Sequence, residues 1–93
     1  MSSLPANWNE IVLLTRRADE VLASGNLDEI RRLFDELDVP GWETRLPVIY
    51  IRRRCAKSLG LGADIQESIL EILNAERKRV RERRKARLSD QSP

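Results

Sequence analysis

The residues that most often perform enzymatic chemistry are nearly absent from this chain of 93 residues. It has no histidine, which is the usual general base near neutral pH and the commonest metal ligand. Its single cysteine, Cys55, has no histidine to activate it and no second cysteine for a disulfide or a Cys-rich metal site. The sequence therefore predicts a protein that is not an enzyme and that holds no metal and no other cofactor. It also predicts that Cys55 is a buried structural thiol.

Basic residues are the remaining candidates for chemistry, and they are unevenly placed. The total formal charge is only +2, with 17 Lys and Arg against 15 Asp and Glu. Residues 1–51 nevertheless carry nine acids against five arginines, whereas residues 77–87 carry eight basic residues against one acid. A second basic group has no acid within four positions in sequence: Arg52, Arg53, Arg54 and Lys57. Cations without an acidic neighbour on the next helical turn are available to an anionic partner.

We expect these two basic groups to contact the phosphates of a nucleic acid. The expected nucleic-acid-binding residues are Arg53, Arg54, Lys57, Arg77, Lys78, Arg79, Arg81, Arg83, Arg84, Lys85 and Arg87. An arginine-rich helix fits a DNA groove or an RNA hairpin, so the choice between DNA and RNA stays open. An acidic surface of another protein offers the same complementarity. Pairing with the acidic first half of this chain is a further alternative.

Helices are the elements that must position these side chains. Three segments begin with Asn or Asp followed three residues later by Glu, the spacing of a capping box, at Asn7, Asn26 and Asp64. Apolar residues then recur every three or four positions, and no segment alternates with period two. The sequence predicts an all-α fold, a small bundle of four helices over about residues 8–24, 27–38, 44–59 and 64–88.

The last predicted helix continues beyond its own apolar residues. A helix over residues 65–88 would be about 36 Å long, whereas the first 75 residues would pack into a globule about 30 Å across. The basic end should therefore project. We divide the chain into a helical body, residues 1–75, and a basic helical arm with a disordered tip, residues 76–93.

Two runs of four large apolar residues, 11–14 and 48–51, cover nearly all sides of their helices. Either these helices are central in the bundle, or one face of them binds a partner or a second copy of the chain. The residues expected on such a surface are Ile11, Leu14, Val48, Tyr50 and Ile51. Trp8 and Trp42 are each predicted to cover the core.

One short segment resembles the core of a helix-turn-helix. Residues 56–61, AKSLGL, followed by Ile69, place a small residue on one helix opposite a glycine turn and an apolar residue. The resemblance covers about 20 residues and implies a DNA-reading helix after the turn. The chain departs from the pattern at Gln66, where an inward aliphatic residue is usual, and Asp64 and Glu67 would face DNA phosphates.

Together these patterns predict a small cytoplasmic, nucleic-acid-binding or transcription-related regulatory protein that uses its basic C-terminal helix for phosphate contacts. The alternative is a non-catalytic helical interaction module, an adaptor or inhibitor that docks on a larger protein. The N-terminal residues lack a basic segment followed by an apolar one, and the longest aliphatic or aromatic runs have four residues. We therefore expect neither a signal peptide nor a membrane span.

Overall fold

The computed structural model describes residues 4–91 of the chain, and this part is built from helices alone. The elements are α1 (Trp8–Ser24), α2 (Leu27–Glu36), a 3-10 helix (Trp42–Thr44), α3 (Leu46–Leu59) and α4 (Ala63–Gln91). The predicted all-α bundle of four helices is confirmed, including a long last helix. Helix α4 ends at Gln91 rather than at the predicted residue 88, so residues 89–91 of the predicted disordered tip are helical, while residues 92 and 93 lie outside the described residues. No helix in the described range combines the length and the apolar character that crossing a membrane requires.

Two of the three predicted helix caps are present. The Asn7 side chain accepts a hydrogen bond from the Glu10 backbone N–H at 2.9 Å, and the Asn26 side chain accepts from Asp28 and Glu29 at 3.1 and 3.2 Å. These bonds satisfy N–H groups that have no partner inside the helix, which is why each helix begins there. Between them, Gly25 ends α1 in the left-handed conformation, with φ of 70°.

The third cap prediction is wrong, because the N-cap position of α4 is Gly62, two residues before Asp64. Helix α4 begins at Ala63, and the Gly62 carbonyl accepts from the backbone N–H groups of Ile65 and Gln66 at 3.1 and 3.2 Å. Asp64 therefore lies inside the first turn, where its negative charge interacts favourably with the helix dipole.

The other boundaries differ from the prediction at the connection between α2 and α3. Helix α2 ends at Glu36 rather than at residue 38, and residues 42–44 form the separate 3-10 helix. The predicted third helix started at residue 44, but Arg45 is extended and α3 begins at Leu46, with Pro47 in its first turn. Proline fits there because its missing N–H would have no helical partner.

Helix α3 is the central element of the bundle. It packs against α1, α2, α4 and the 3-10 helix, and its inward side chains are fully buried. The core consists of Val48, Ile49, Ile51, Cys55 and Ala56 from α3, Ile30, Leu33 and Phe34 from α2, Ile69 and Leu73 from α4, Ala18 from α1, and the connecting residues Leu37 and Trp42. For α3, the first of the two predicted alternatives, a central position, is the one observed.

Helix α1 is peripheral, and Ala18 is its only buried residue. Trp8 is 74% exposed, so the prediction that it covers the core is wrong, whereas Trp42 does cover the core at 7% exposure. The reason is positional: Trp8 begins a helix at the edge of the bundle, while Trp42 begins the 3-10 helix that packs on α3.

Candidate nucleic-acid interface

Helix α4 carries its basic end away from the body. Its 29 residues span about 43 Å at 1.5 Å per residue. The molecule measures 54 × 31 × 23 Å, so its long dimension exceeds the other two by more than 20 Å. Among the α4 side chains that the structure describes, which end at residue 88, Glu76 is the last buried one, and residues 77–79 and 81–88 are all exposed. The projecting arm predicted from chain length is therefore the geometry that the structure has.

Glu76 divides the arm cations into two groups. Its carboxylate is 1% exposed and accepts hydrogen bonds from Arg79 Nε at 2.9 Å and from an Arg83 terminal nitrogen at 3.0 Å. Burial disfavours the charged carboxylate, but the two arginines outweigh this effect and lower the pKa of Glu76. Arg79 and Arg83, both expected to contact phosphates, are each paired with this buried acid, and their side chains remain 47% and 65% exposed.

The second basic group is also changed by contacts within the body. Arg54 forms an ion pair with Asp19 of α1 at 2.7 Å, and its side chain remains 47% exposed, so a phosphate would compete with this acid for it. Arg52 is only 6% exposed: its guanidinium lies over the rings of Phe34 and Trp42, 4.3 and 4.2 Å from their centroids. Pairing with the acidic first half, left open by the sequence, is thus the outcome for Arg54.

Arg52 is a core residue despite its charge. Asp38 Oδ1 lies 3.6 Å from one of its terminal nitrogens, while its Nε is buried without a hydrogen-bond partner among the described residues. Burial lowers the pKa of Arg52, and the charge of Asp38 opposes that shift. Nothing in its sequence neighbourhood separates it from Arg53 and Arg54, because its partners Phe34, Asp38 and Trp42 come from other elements.

Five arm cations share one side of α4: Arg77, Lys78, Arg81, Arg84 and Lys85. Their spacing is i, i+1, i+4, i+7 and i+8, which at about 100° per residue confines them to an arc of about 120°. Within the described residues none of the five takes part in an ion pair. The eighth arm cation, Arg87, follows Arg83 by one turn and lies on the side of the Glu76 cluster.

Helix α3 adds two cations to the same side of the molecule. Tyr50, Arg53 and Lys57 are spaced i, i+3 and i+7, so they lie along one face of α3. This face borders the same side of α4, because Leu46 and Tyr50 line one groove together with Arg77, Val80 and Arg81. We call Arg53, Lys57 and the five arm cations the basic face. Seven of the eleven expected binding residues are thereby brought together.

Two shallow grooves run between α3 and α4 along the basic face. The tyrosine groove, defined by Leu46, Tyr50, Arg77, Val80 and Arg81, has a volume of about 250 Å³. The turn groove lies nearer the α3–α4 connection and has a volume of about 360 Å³. Its lining includes Arg53, Lys57, Gln66, Glu67 and Leu70. Glu67 is the one acid among the lining residues of the two grooves.

The antiparallel course of α3 and α4 differs from a helix-turn-helix. In that motif the two helices cross at about 90–120°. Here Ala56 and Lys57 lie opposite Ala63 and Gln66, while Leu46 lies opposite Val80, so the helices run side by side along the whole of α3. The start of α4 is therefore not a free reading helix.

Two of the five residues of the predicted partner surface do not lie on the surface. Val48 and Ile51 are buried in the core, because they lie on the inward side of the central helix. Tyr50 is 42% exposed, and Ile11 and Leu14 are half-buried. The large apolar side chains that α1 does expose are Trp8 and Leu13.

Cys55 is fully buried, as predicted. Burial raises the pKa of its thiol, and the charges of Arg54 and Arg52 offset only part of this shift. The residues described by the structure contain no group of three or more His, Cys, Asp or Glu placed to hold a metal ion. What the arrangement offers chemically is a cationic, partly apolar surface.

The sequence signal for the basic face was available as a helical spacing in residues 77–85. The sequence could not predict that Arg53 and Lys57 lie on the same side of the molecule as these residues, because that depends on how α3 and α4 pack.

Comparison of the chain with models of known protein families, with curated proteins and with solved structures finds no match.

Proposed function

We propose that this protein binds nucleic acid through the basic face and serves a non-catalytic, regulatory role such as one in transcription. The observation that carries the proposal is the arrangement of Arg77, Lys78, Arg81, Arg84 and Lys85 on one side of a projecting helix, without ion pairs in the described part of the chain. Unpaired cations at such density repel one another. Binding to phosphates relieves that repulsion and releases the counterions condensed on the nucleic acid, and both effects favour binding.

The anchored arginines support the proposal indirectly. Because Glu76 pairs with Arg79 and Arg83, their positive charge is partly offset on that side of α4, whereas the five arm cations of the basic face have no paired acid in the described part of the chain. The helix is thus cationic on a defined face. A backbone-tracking surface of this kind contacts phosphates and supplies affinity without base-specific contacts.

Salt dependence gives the quantitative expectation. If the seven cations of the basic face each neutralise one phosphate, the logarithm of the binding constant falls against the logarithm of salt concentration with a slope of about −6 for duplex DNA and about −5 for a single strand. Binding should be measured by fluorescence anisotropy of labelled oligonucleotides at salt concentrations from about 50 to 200 mM, a range wide enough to determine a slope of this size.

A matched pair of variants tests the assignment. The triple variant R81Q/R84Q/K85Q removes three cations from the basic face and should reduce the slope magnitude by about 2 to 3. The control R16Q/R31Q/R32Q removes the same charge from α1 and α2 and should leave the slope nearly unchanged. Equal effects of the two triples would mean that only total charge matters, and the assignment to the basic face would be wrong.

A second candidate function is protein binding through α1, as an adaptor, an inhibitor or a homodimer. It is favoured by the exposure of Trp8 and Leu13 on a helix that contributes one buried residue to the core. A groove of about 320 Å³ runs along α1 beside Trp8, Ile11, Val12 and Thr15. Sedimentation analysis of the wild type and of Trp8→Ala tests the homodimer: self-association that the substitution abolishes would support it, and a wild-type monomer at all concentrations would exclude it.

A further inference from the structure

An exposed aromatic side chain lies within the basic face. Tyr50 is 42% exposed and shares the tyrosine groove with Arg77 and Arg81. Leu46 and Val80 complete the lining, so the groove presents apolar atoms between two unpaired cations. The turn groove, nearer the end of α3, also combines cationic and apolar lining, with Arg53 and Lys57 from α3 and Leu70 from α4.

Resting on the proposed function, we propose that the ligand of the basic face is single-stranded nucleic acid, with a base stacked on Tyr50 and the flanking phosphates bound by Arg77 and Arg81. The basic face and a single strand are complementary in charge and in surface. A single strand exposes both its phosphates and the flat faces of its bases, whereas a duplex buries the base faces in its own stack. Grooves lined by both cations and apolar atoms are complementary to a single strand and not to a duplex.

The packing of α4 favours the same ligand. A helix that reads a duplex enters the major groove with its reading face standing clear of the rest of its domain. Residues 63–81 of α4 instead lie beside α3, so this stretch offers one open face rather than a free rod. That face is about 27 Å long, which is the length of about eight nucleotides at the 3.4 Å spacing of a stacked strand.

Glu67, an acid in the turn groove, allows a separate test of this assignment. Its carboxylate lines the turn groove near Lys57 and has no ion pair within the described residues. A phosphate in that groove would be repelled by it. Glu67→Gln should therefore strengthen single-strand binding, whereas Glu20→Gln, a change of the same charge on α1, should leave that affinity nearly unchanged.

The test compares two ligands on three proteins. Anisotropy titrations at fixed salt use a labelled twelve-nucleotide oligo-dT or oligo-U strand and a twelve-base-pair duplex, with wild type, Tyr50→Leu and Tyr50→Phe. The proposal expects tighter binding of a single strand than of the duplex. It also expects Tyr50→Leu to weaken single-strand binding about tenfold, the effect of losing one base–aromatic stack, while Tyr50→Phe retains it. Because Tyr50 lies outside the core, circular dichroism should show both variants folded.

The possible results distinguish a failure of the single-strand assignment from a failure of the proposed function. Tighter duplex binding, or equal losses for Tyr50→Leu on both ligands, would overturn the single-strand assignment while leaving nucleic-acid binding intact. Absence of binding to every oligonucleotide, or equally tight binding to polyglutamate, would overturn the proposed function itself and indicate an acidic protein as the partner of the arm.

Discussion

Neutralising Glu76 should destabilise the fold in a pH-dependent way. The substitution Glu76→Gln keeps the size of the side chain and replaces the carboxylate with a neutral amide. The carboxylate accepts hydrogen bonds from Arg79 Nε at 2.9 Å and from Arg83 at 3.0 Å. Hydrogen bonds to charged groups contribute about 1.5–3 kcal/mol each. Gln retains one acceptor oxygen, and the two arginines are about half exposed and can be hydrated. We therefore expect a loss of about 1–3 kcal/mol in total.

The assay is urea denaturation followed by tryptophan fluorescence, since Trp42 is buried and reports on the core. With a slope of about 1–1.5 kcal/mol/M for a chain of this size, the midpoint should fall by about 0.7–3 M at pH 7. Urea is preferable to guanidinium chloride because it does not screen charge. Glu71→Gln, on an exposed position of the same helix, is the matched control and should shift the midpoint little.

The pH dependence distinguishes a charge effect from a packing effect. The pKa of Glu76 is lowered in the folded state, so its stabilising contribution is fully present above its unfolded pKa, about 4.3, and is lost as pH falls through the folded value. The difference between wild type and Glu76→Gln should therefore shrink below about pH 4.3. A difference that stays constant from pH 7 to pH 3, or a variant as stable as wild type at pH 7, would refute this reasoning.

Four further substitutions and one labelling experiment test the core and its edges; urea unfolding is followed here by circular dichroism, because Trp42→Ala removes the buried fluorophore. Arg52→Met should stay within about 1 kcal/mol of wild type because it keeps the packed stem and removes a buried charge, while Arg52→Ala should cost about 2–4 kcal/mol through the cavity it leaves. Trp8→Ala should change stability by less than about 0.5 kcal/mol, whereas Trp42→Ala should cost about 3–5 kcal/mol. Cys55 should react with a thiol reagent only across the unfolding transition, since burial raises the pKa of its thiol; rapid labelling in water would contradict its placement.

Helix number, type and approximate length could be predicted because they depend on local interactions. The Asn7 and Asn26 caps involve atoms within three residues, and the left-handed Gly25 follows from its lack of a side chain. The exact start of α4 could not be predicted, since Asp64 has a capping spacing of its own and Gly62 was the residue that capped. Helix starts set by Gly62 or by Asp64, two positions apart, differ little in free energy, and packing decides between them.

The role of the two apolar runs could not be predicted from their composition. Residues 11–14 and 48–51 are equally apolar in sequence, and both cover most sides of a helix. Helix α3 became central because α1, α2 and α4 all pack on it, while α1 kept Trp8 and Leu13 exposed. Which of two similar helices is enclosed depends on the connections and on the shapes of all the others.

The sequence by itself determined that the protein is a set of helices with a strongly basic end, because helix propensity, caps and charge counts are properties of neighbouring residues. Only the tertiary structure decided which cations are free. Arg52 entered the core between Phe34 and Trp42, Arg54 paired with Asp19 across two helices, and Arg53 and Lys57 joined the arm on one face. Charge pairing depends on distances of a few ångströms in space, and packing brings together side chains that lie up to 35 positions apart in the chain.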